Sequence, residues 1–215
     1  MNNNTYYKIV IIIIFIGLQS TSLFAEWNVV EKKDEMTGDK YAYAYSPGVK
    51  PTKKMDFPYG DVESWVLVGC DKDDFWIYFG FTEAPNLQDT EPWDTADGHN
   101  ETLIRAKFGD EIMKIQLIQK WNAKELRVSK YKKFSVISGI KKHHSMLLEL
   151  NWYGEGRVYF SYSLRGSAKA IAEIFNKCQL LDSQGKIKLL KSNYEDCLII
   201  KSMNEDYDCT DQKPN

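Results

Sequence analysis

The chain has 215 residues and carries 28 Lys plus Arg against 30 Asp plus Glu, a net charge of −2. That balance excludes capture of nucleic acid by overall charge, and the length fits one domain with a real core. Aromatic residues make up 13% of the chain, with 13 Tyr and 6 Trp, a composition suited to β faces that are only half buried.

Met1 to Lys8 is polar with one positive charge, Ile9 to Leu18 is an apolar run with a single Gly, and Gln19 to Ala25 is polar again. This layout predicts a secretory signal peptide over 1–25, too short in its apolar part for the ~20 residues that span a bilayer. Cleavage is expected after Ala25, with Ser22 as the fallback and an uncleaved anchor as the alternative. Only Lys8 is lost from the charge count, which leaves 27 basic against 30 acidic residues, a net of −3. The mature protein is expected in the periplasm or outside the cell, with no membrane span after cleavage.

Trp27 to Lys33 and Lys40 to Tyr45 alternate like strands around the turn residues Asp34 to Asp39, which predicts a hairpin. Ser46 to Gly60 holds Pro47, Pro51 and Pro58 and reads as a surface connection. Trp65 to Cys70 and Phe75 to Phe81 are near-continuous apolar runs, predicting a central hairpin covered on both faces. The acidic turn between them, Asp71 to Asp74, lacks the spacing and glycine of a calcium loop. Thr82 to Asn100 is polar and reads as a long loop carrying Trp93 and His99; an exposed Trp there is a candidate binding anchor. Asn100-Glu101-Thr102 fits a glycosylation sequon, without meaning in a bacterial protein. Thr102 to Phe108 and Ile112 to Ile118 form another strand pair around Gly109-Asp110. Leu126 to Val128 and Phe134 to Ile137 read as shorter strands.

Basic residues gather at Lys124, Arg127, Lys130, Lys132, Lys133, Lys141 and Lys142, interleaved with Tyr131 and Phe134. This is the candidate anion-binding face, with Lys130, Lys132, Lys133, Lys141, Lys142 and Trp93 as its site residues; the plain alternative is a solvated edge hairpin guarded by lysines.

From Met146 to Trp152 and from Val158 to Leu164 every second residue is apolar, with Gly154-Glu155-Gly156 between. A three-residue loop here predicts Trp152 opposite Val158, Leu150 opposite Phe160 and Leu148 opposite Tyr162, all on one face. Gly166 breaks the second strand, Ser167 is a candidate cap, and Ala168, Ile171, Ile174, Phe175 and Cys178 recur at helical spacing. The fold expected is therefore mainly β with one C-terminal helix, an antiparallel, sandwich-like single domain over 26–178, with an appendix over 179–215.

Cys70, Cys178, Cys197 and Cys209 form an even set in an oxidising compartment, which favours two disulfides. Three pairings are open. Cys70–Cys178 with Cys197–Cys209 is preferred, because Cys70 ends a buried strand and Cys178 ends the helix that covers the sheet. With the thiols bridged and without CxxC, neither metal binding nor redox chemistry is expected. Asn204, Asp206 and Asp208 alternate like calcium-loop ligands, but Cys209 stands where a glycine is needed.

The sequence contains no G-x-S-x-G, H-E-x-x-H, G-x-x-x-x-G-K or G-x-G-x-x-G. His143 and His144 are adjacent and would point to opposite faces of a strand. Glu149, opposite in face to Leu148, is expected at the solvent side. No catalytic residue, cofactor or metal is assigned.

Trp27, Asp34 and Met36-Thr37-Gly38 leading into a strand are followed by Leu67-Val68-x-Cys70 and a strand pair containing Arg105. Phe160-x-Tyr162-x-Leu164-x-Gly166 then leads into a helix ending at Cys178. This order resembles the small exported proteins related to the type VI secretion-associated accessory family, also common among prophage-borne proteins. The likeness covers Trp27 to Cys178; the Cys197 and Cys209 tail and the lysine-rich middle depart from it. It implies a non-enzymatic envelope protein and supports the Cys70–Cys178 bridge. The function expected is an exported binding or accessory protein whose partner is another envelope protein or an anionic envelope polymer. The alternative is an envelope-directed hydrolase or enzyme inhibitor with a cleft near His99 and Trp93.

Overall fold

The computed structural model describes residues 27–88, 91–92, 98–181, 185 and 187. Among them, ten strands join one antiparallel sheet: β1 Asn28–Lys33, β2 Lys40–Tyr45, β3 Ser64–Cys70, β4 Phe75–Phe81, β5 Glu91–Pro92, β6 His99–Phe108, β7 Glu111–Lys120, β8 Glu125–Val128, β9 Ser145–Trp152 and β10 Gly156–Ser163. Two helices accompany them, α1 Lys133–Lys142 and α2 Ser167–Lys177. The sheet runs β1-β2-β3-β4-β8-β7-β6-β9-β10, with β5 beside β6.

The inner side chains of the long strands are mostly apolar, and the sheet bends to bury them against each other. Phe81 lies 5.6 Å from Phe160 and 5.9 Å from Trp152, ring centre to ring centre, although β8, β7 and β6 separate β4 from β9 in the sheet. Ser64 Oγ and the Tyr162 hydroxyl meet at 2.6 Å in the same interior. The connection after β2 bridges to both limbs, Val49 pairing with Ser64 and Pro51 with Phe160. The expected sandwich-like layering is thus two limbs of a single continuous sheet and not two sheets. The connection itself is more than surface, since Met55 and Val62 are buried in the core.

The hairpins at the N-terminus and in the centre have the predicted strands. In the first, Asp34 Oδ1 accepts the N–H groups of Met36 and Thr37 at 2.8 Å each, the side-chain turn expected of that residue. The β6–β7 pair is longer than predicted, from His99 and to Lys120, turning at Gly109-Asp110. The polar stretch after β4 also joins the sheet in part, with Leu87 bridged to Trp152.

The β9–β10 hairpin keeps the predicted faces but not the predicted register. Trp152 pairs with Gly156, Leu150 with Val158 and Leu148 with Phe160, a slip of two residues. Gly156 (φ +68°) enters the ladder itself, so the loop is Tyr153 to Glu155, with Gly154 at φ +78° and the Glu155 N–H donating to the Trp152 carbonyl at 3.1 Å. A slip of two preserves which side chains face the core, since the side-chain period is two. All of Met146, Leu148, Leu150, Trp152, Val158, Phe160 and Tyr162 are buried.

A second helix stands where a strand is predicted over Phe134 to Ile137. Within α1, Val136, Ile137 and Ile140 are buried at helical spacing. Burying each contributes roughly 1.5–3 kcal/mol, more than the ~0.5 kcal/mol that β-branching costs a helix. Gly139 makes the contact possible: a methyl group there would stand 3.0 Å from the ring of the buried Phe108. Gly139→Val is therefore expected to destabilise by about 1–3 kcal/mol through overpacking, read as a lowered midpoint in urea unfolding with an unchanged slope.

Helix α2 buries Ala170, Ile171, Ile174 and Phe175, while Ala168 is exposed. It lies over β1, β2 and β3, where Ala42 and Ala44 are small enough to let it approach. Gly166 (φ +84°) takes the cap position, and Ser167 does not cap but donates its hydroxyl to the Ile140 carbonyl at 2.6 Å, tying α2 to α1. Cys178 is bonded to Cys70, with Cα atoms 6.1 Å apart. Cys197, Cys209 and most of the predicted appendix lie outside the described residues.

Candidate functional site

The central hairpin corrects the expectation that both its faces are covered. Val66, Val68, Cys70, Phe75, Ile77, Phe79 and Phe81 point inward and are buried. Their neighbours Trp65, Leu67, Trp76 and Tyr78 point outward and stay partly exposed. Strand β2 extends this outer face with Tyr41, Tyr43 and Tyr45, whose alternation partners Ala42 and Ala44 go inward.

Two glycines shape the face. Gly69 pairs with Trp76 across the ladder, and Trp65 pairs with Gly80. A methyl group on Gly69 would stand 2.6 Å from Cε2 of Trp76, and one on Gly80 would stand 2.6 Å from Cζ2 of Trp65. Each indole therefore lies down on the bare backbone of the neighbouring strand, where no side chain competes for the space. The result is a shallow concavity of about 550 Å³ lined by Tyr41, Tyr43, Trp65, Leu67, Trp76 and Tyr78.

The border is polar. Lys124 and Glu125 line its edge, Lys124 donating to the Thr82 carbonyl and lying 3.6 Å from Glu83. Arg127 stands exposed beside Tyr78 in the ladder. Flat rings that offer large apolar area next to hydroxyls and cations suit a ligand with apolar C–H faces and polar edges.

The lysine-rich segment is not one patch. Lys130 lies over the Tyr131 ring at 4.9 Å, and Lys132 precedes α1. Lys133 is largely covered, paired with Asp74 and stacked 4.9 Å from the Phe75 ring centre and 5.5 Å from that of Phe134. Lys141 and Lys142 sit at the other end of the helix, about 13 Å away along its axis. There they complement the negative end of the helix dipole, and Lys142 pairs with Glu111 at 3.2 Å. Trp93 lies outside the described residues.

The acidic turn is closed by its own side chain, Asp71 Oδ1 accepting from the N–H groups of Asp73 and Asp74 at 2.7 and 2.8 Å. Among the described residues no three His, Cys, Asp or Glu side chains gather as metal ligands, and no helix is long and apolar enough to cross a membrane. His99 Nε2 stands 4.0 Å from Glu101, whose carboxylate also accepts from Gln116.

Glu149 faces outward as expected, where it is mostly covered and clamped by Arg105, Nε to Oε1 at 2.9 Å and Nη2 to Oε2 at 2.6 Å. That fork, helped by the Tyr159 hydroxyl and the charges of Arg105 and Arg157, holds its carboxyl below the usual carboxylate range despite partial burial. A carboxylate so held is a poor proton donor at neutral pH.

No family model, curated protein or solved structure matches the chain.

Proposed function

We propose that the protein is an exported, non-enzymatic binding protein of the bacterial cell envelope, which holds an anionic envelope glycan on the outer face of β2, β3 and β4. The observation that carries this reading is the pair of indoles, Trp65 and Trp76, laid flat over Gly80 and Gly69 and left partly exposed. A sugar ring would stack its C–H face on such a platform, with the tyrosine hydroxyls and the exposed Arg127 available to its hydroxyl and acid groups. A protein anchor such as a single Trp or Leu would instead ask for a deep pocket. The bonded Cys70–Cys178 pair is compatible with an oxidising compartment. An accessory role in secretion rests on the resemblance of motif order alone.

The hydrolase or inhibitor reading has less support. The polar contact described for His99 is Glu101, which in turn accepts from Gln116, and it includes no hydroxyl or thiol nucleophile.

Co-sedimentation of the mature protein with insoluble envelope polymer tests the proposal. Trp65→Ala with Trp76→Ala is expected to weaken retention about thirtyfold, two rings at ~1 kcal/mol each, in protein that circular dichroism shows to be folded. Lys141→Gln with Lys142→Gln should leave retention nearly intact. Equal retention of the tryptophan variant and the parent would overturn the reading.

A further inference from the structure

A second concavity lies elsewhere on the outer face, about 290 Å³ in volume, over β6, β7, β9 and β10. In the ladder Lys114 stands directly opposite Arg105, Arg105 opposite Glu149, and Glu149 opposite Tyr159. Arg157 pairs with Asn151 one step along and also lines the cavity. The site thus holds three cations to one carboxylate.

Fold stability alone does not select this arrangement. Like charges directly opposite on a sheet destabilise it, and Lys114 and Arg105 are such a pair. Glu149 relieves only part of the charge, being one carboxylate among three cations, and it is the Arg105 fork that it holds. The fork fixes the guanidinium in place, and Lys114 and Arg157 flank it as exposed cations. The rest of the lining is suited to a polyhydroxylated molecule: Gln88 has an exposed polar side chain, and Leu103, 63% exposed, offers an apolar patch. The volume exceeds what a bare oxyanion needs.

We propose that this cavity binds an acidic sugar unit. Lys114 and the adjacent Arg105, held in place by Glu149, receive its carboxylate or phosphate group, and Arg157, on the far side of Glu149, meets another edge of the same molecule. The site is separate from the aromatic platform and does not depend on the function proposed for that face.

Titration calorimetry of the mature protein at low salt tests it with glucuronate, glucose 6-phosphate, inorganic phosphate and glucose as probes. At least one of the two acidic sugars should bind, more weakly as salt rises. Which of them binds tells carboxylate from phosphate recognition. Lys114→Gln with Arg157→Gln should weaken that binding about tenfold or more, the expected loss on removing charge-assisted hydrogen bonds. Lys141→Gln with Lys142→Gln, which removes the same charge elsewhere, should leave it unchanged. Circular dichroism establishes that each variant is folded; should the double variant fail to fold, Arg157→Gln alone takes its place with the same expectation. The proposal is overturned if neither acidic sugar binds, if glucose or inorganic phosphate binds as well as they do, or if the folded variant binds like the parent.

Discussion

Cys70→Ser and Cys178→Ser are each expected to lower the free energy of unfolding by about 3–5 kcal/mol, and the double variant by no more than either alone. The bridge joins residues 108 positions apart and closes most of the described domain into one loop. In the chain-entropy account a loop of that length gives close to the largest effect a single disulfide produces. The bond also has a local task. It pins the end of α2 to the end of β3, beside the two buried alanines on which the helix rests. Without it, Ile171, Ile174 and Phe175 must hold α2 by packing alone. Urea unfolding of the four proteins under non-reducing conditions reads the cycle. Losses that add in the double variant would show that the two sulfurs act separately.

The second large effect separates ring geometry from ring chemistry. Gly69→Ala with Gly80→Ala keeps every aromatic residue of the platform yet puts a methyl group where each indole lies. Neither glycine has a backbone angle that an alanine resists, and the obstructed atoms belong to surface side chains that can swing away. Stability should therefore fall by no more than about 1–3 kcal/mol, the cost of displacing the indoles being offset in part because glycine within a strand is itself unfavourable. Retention on envelope polymer should nevertheless fall nearly as far as in the tryptophan double variant, because the rings no longer lie flat. Full retention by the alanine variant would mean that aromatic content, and not its flat presentation, is what the ligand uses.

The hairpin β1–β2 was legible because alternation and turn residues pointed to the same strands, and β3–β4 and β6–β7 because apolar runs are bounded by the turns at Asp71 to Asp74 and Gly109-Asp110. The β9–β10 faces were legible for the same reason. Its register was not, because Gly156 can be either the last loop residue or the first ladder residue, and only the backbone decides. Helix α1 was hidden by its composition: Val136, Ile137 and Ile140 favour strands locally, and burial against Phe108 overrides that preference. The basic residues looked like one cluster because they are close in sequence, whereas the helix sets them at opposite ends.

The platform was missed because Trp65 to Cys70 and Phe75 to Phe81 read as apolar throughout. Taken two at a time, they separate into an inner set and an outer set of Trp65, Leu67, Gly69 and Trp76, Tyr78, Gly80. Large rings alternating with glycine on one face were the available signal. Pairing across β3 and β4, which lays each ring over a glycine, is a long-range fact that periodicity does not contain.

Oxidative footprinting of the mature protein, with and without soluble envelope glycan, tests the central claim most directly. Trp121 provides an internal reference, because it is 87% exposed and lies outside the platform. The glycan should protect Trp65 and Trp76 from oxidation and leave Trp121 as reactive as before. Protection of Trp121 with Trp65 and Trp76 unchanged would contradict the account.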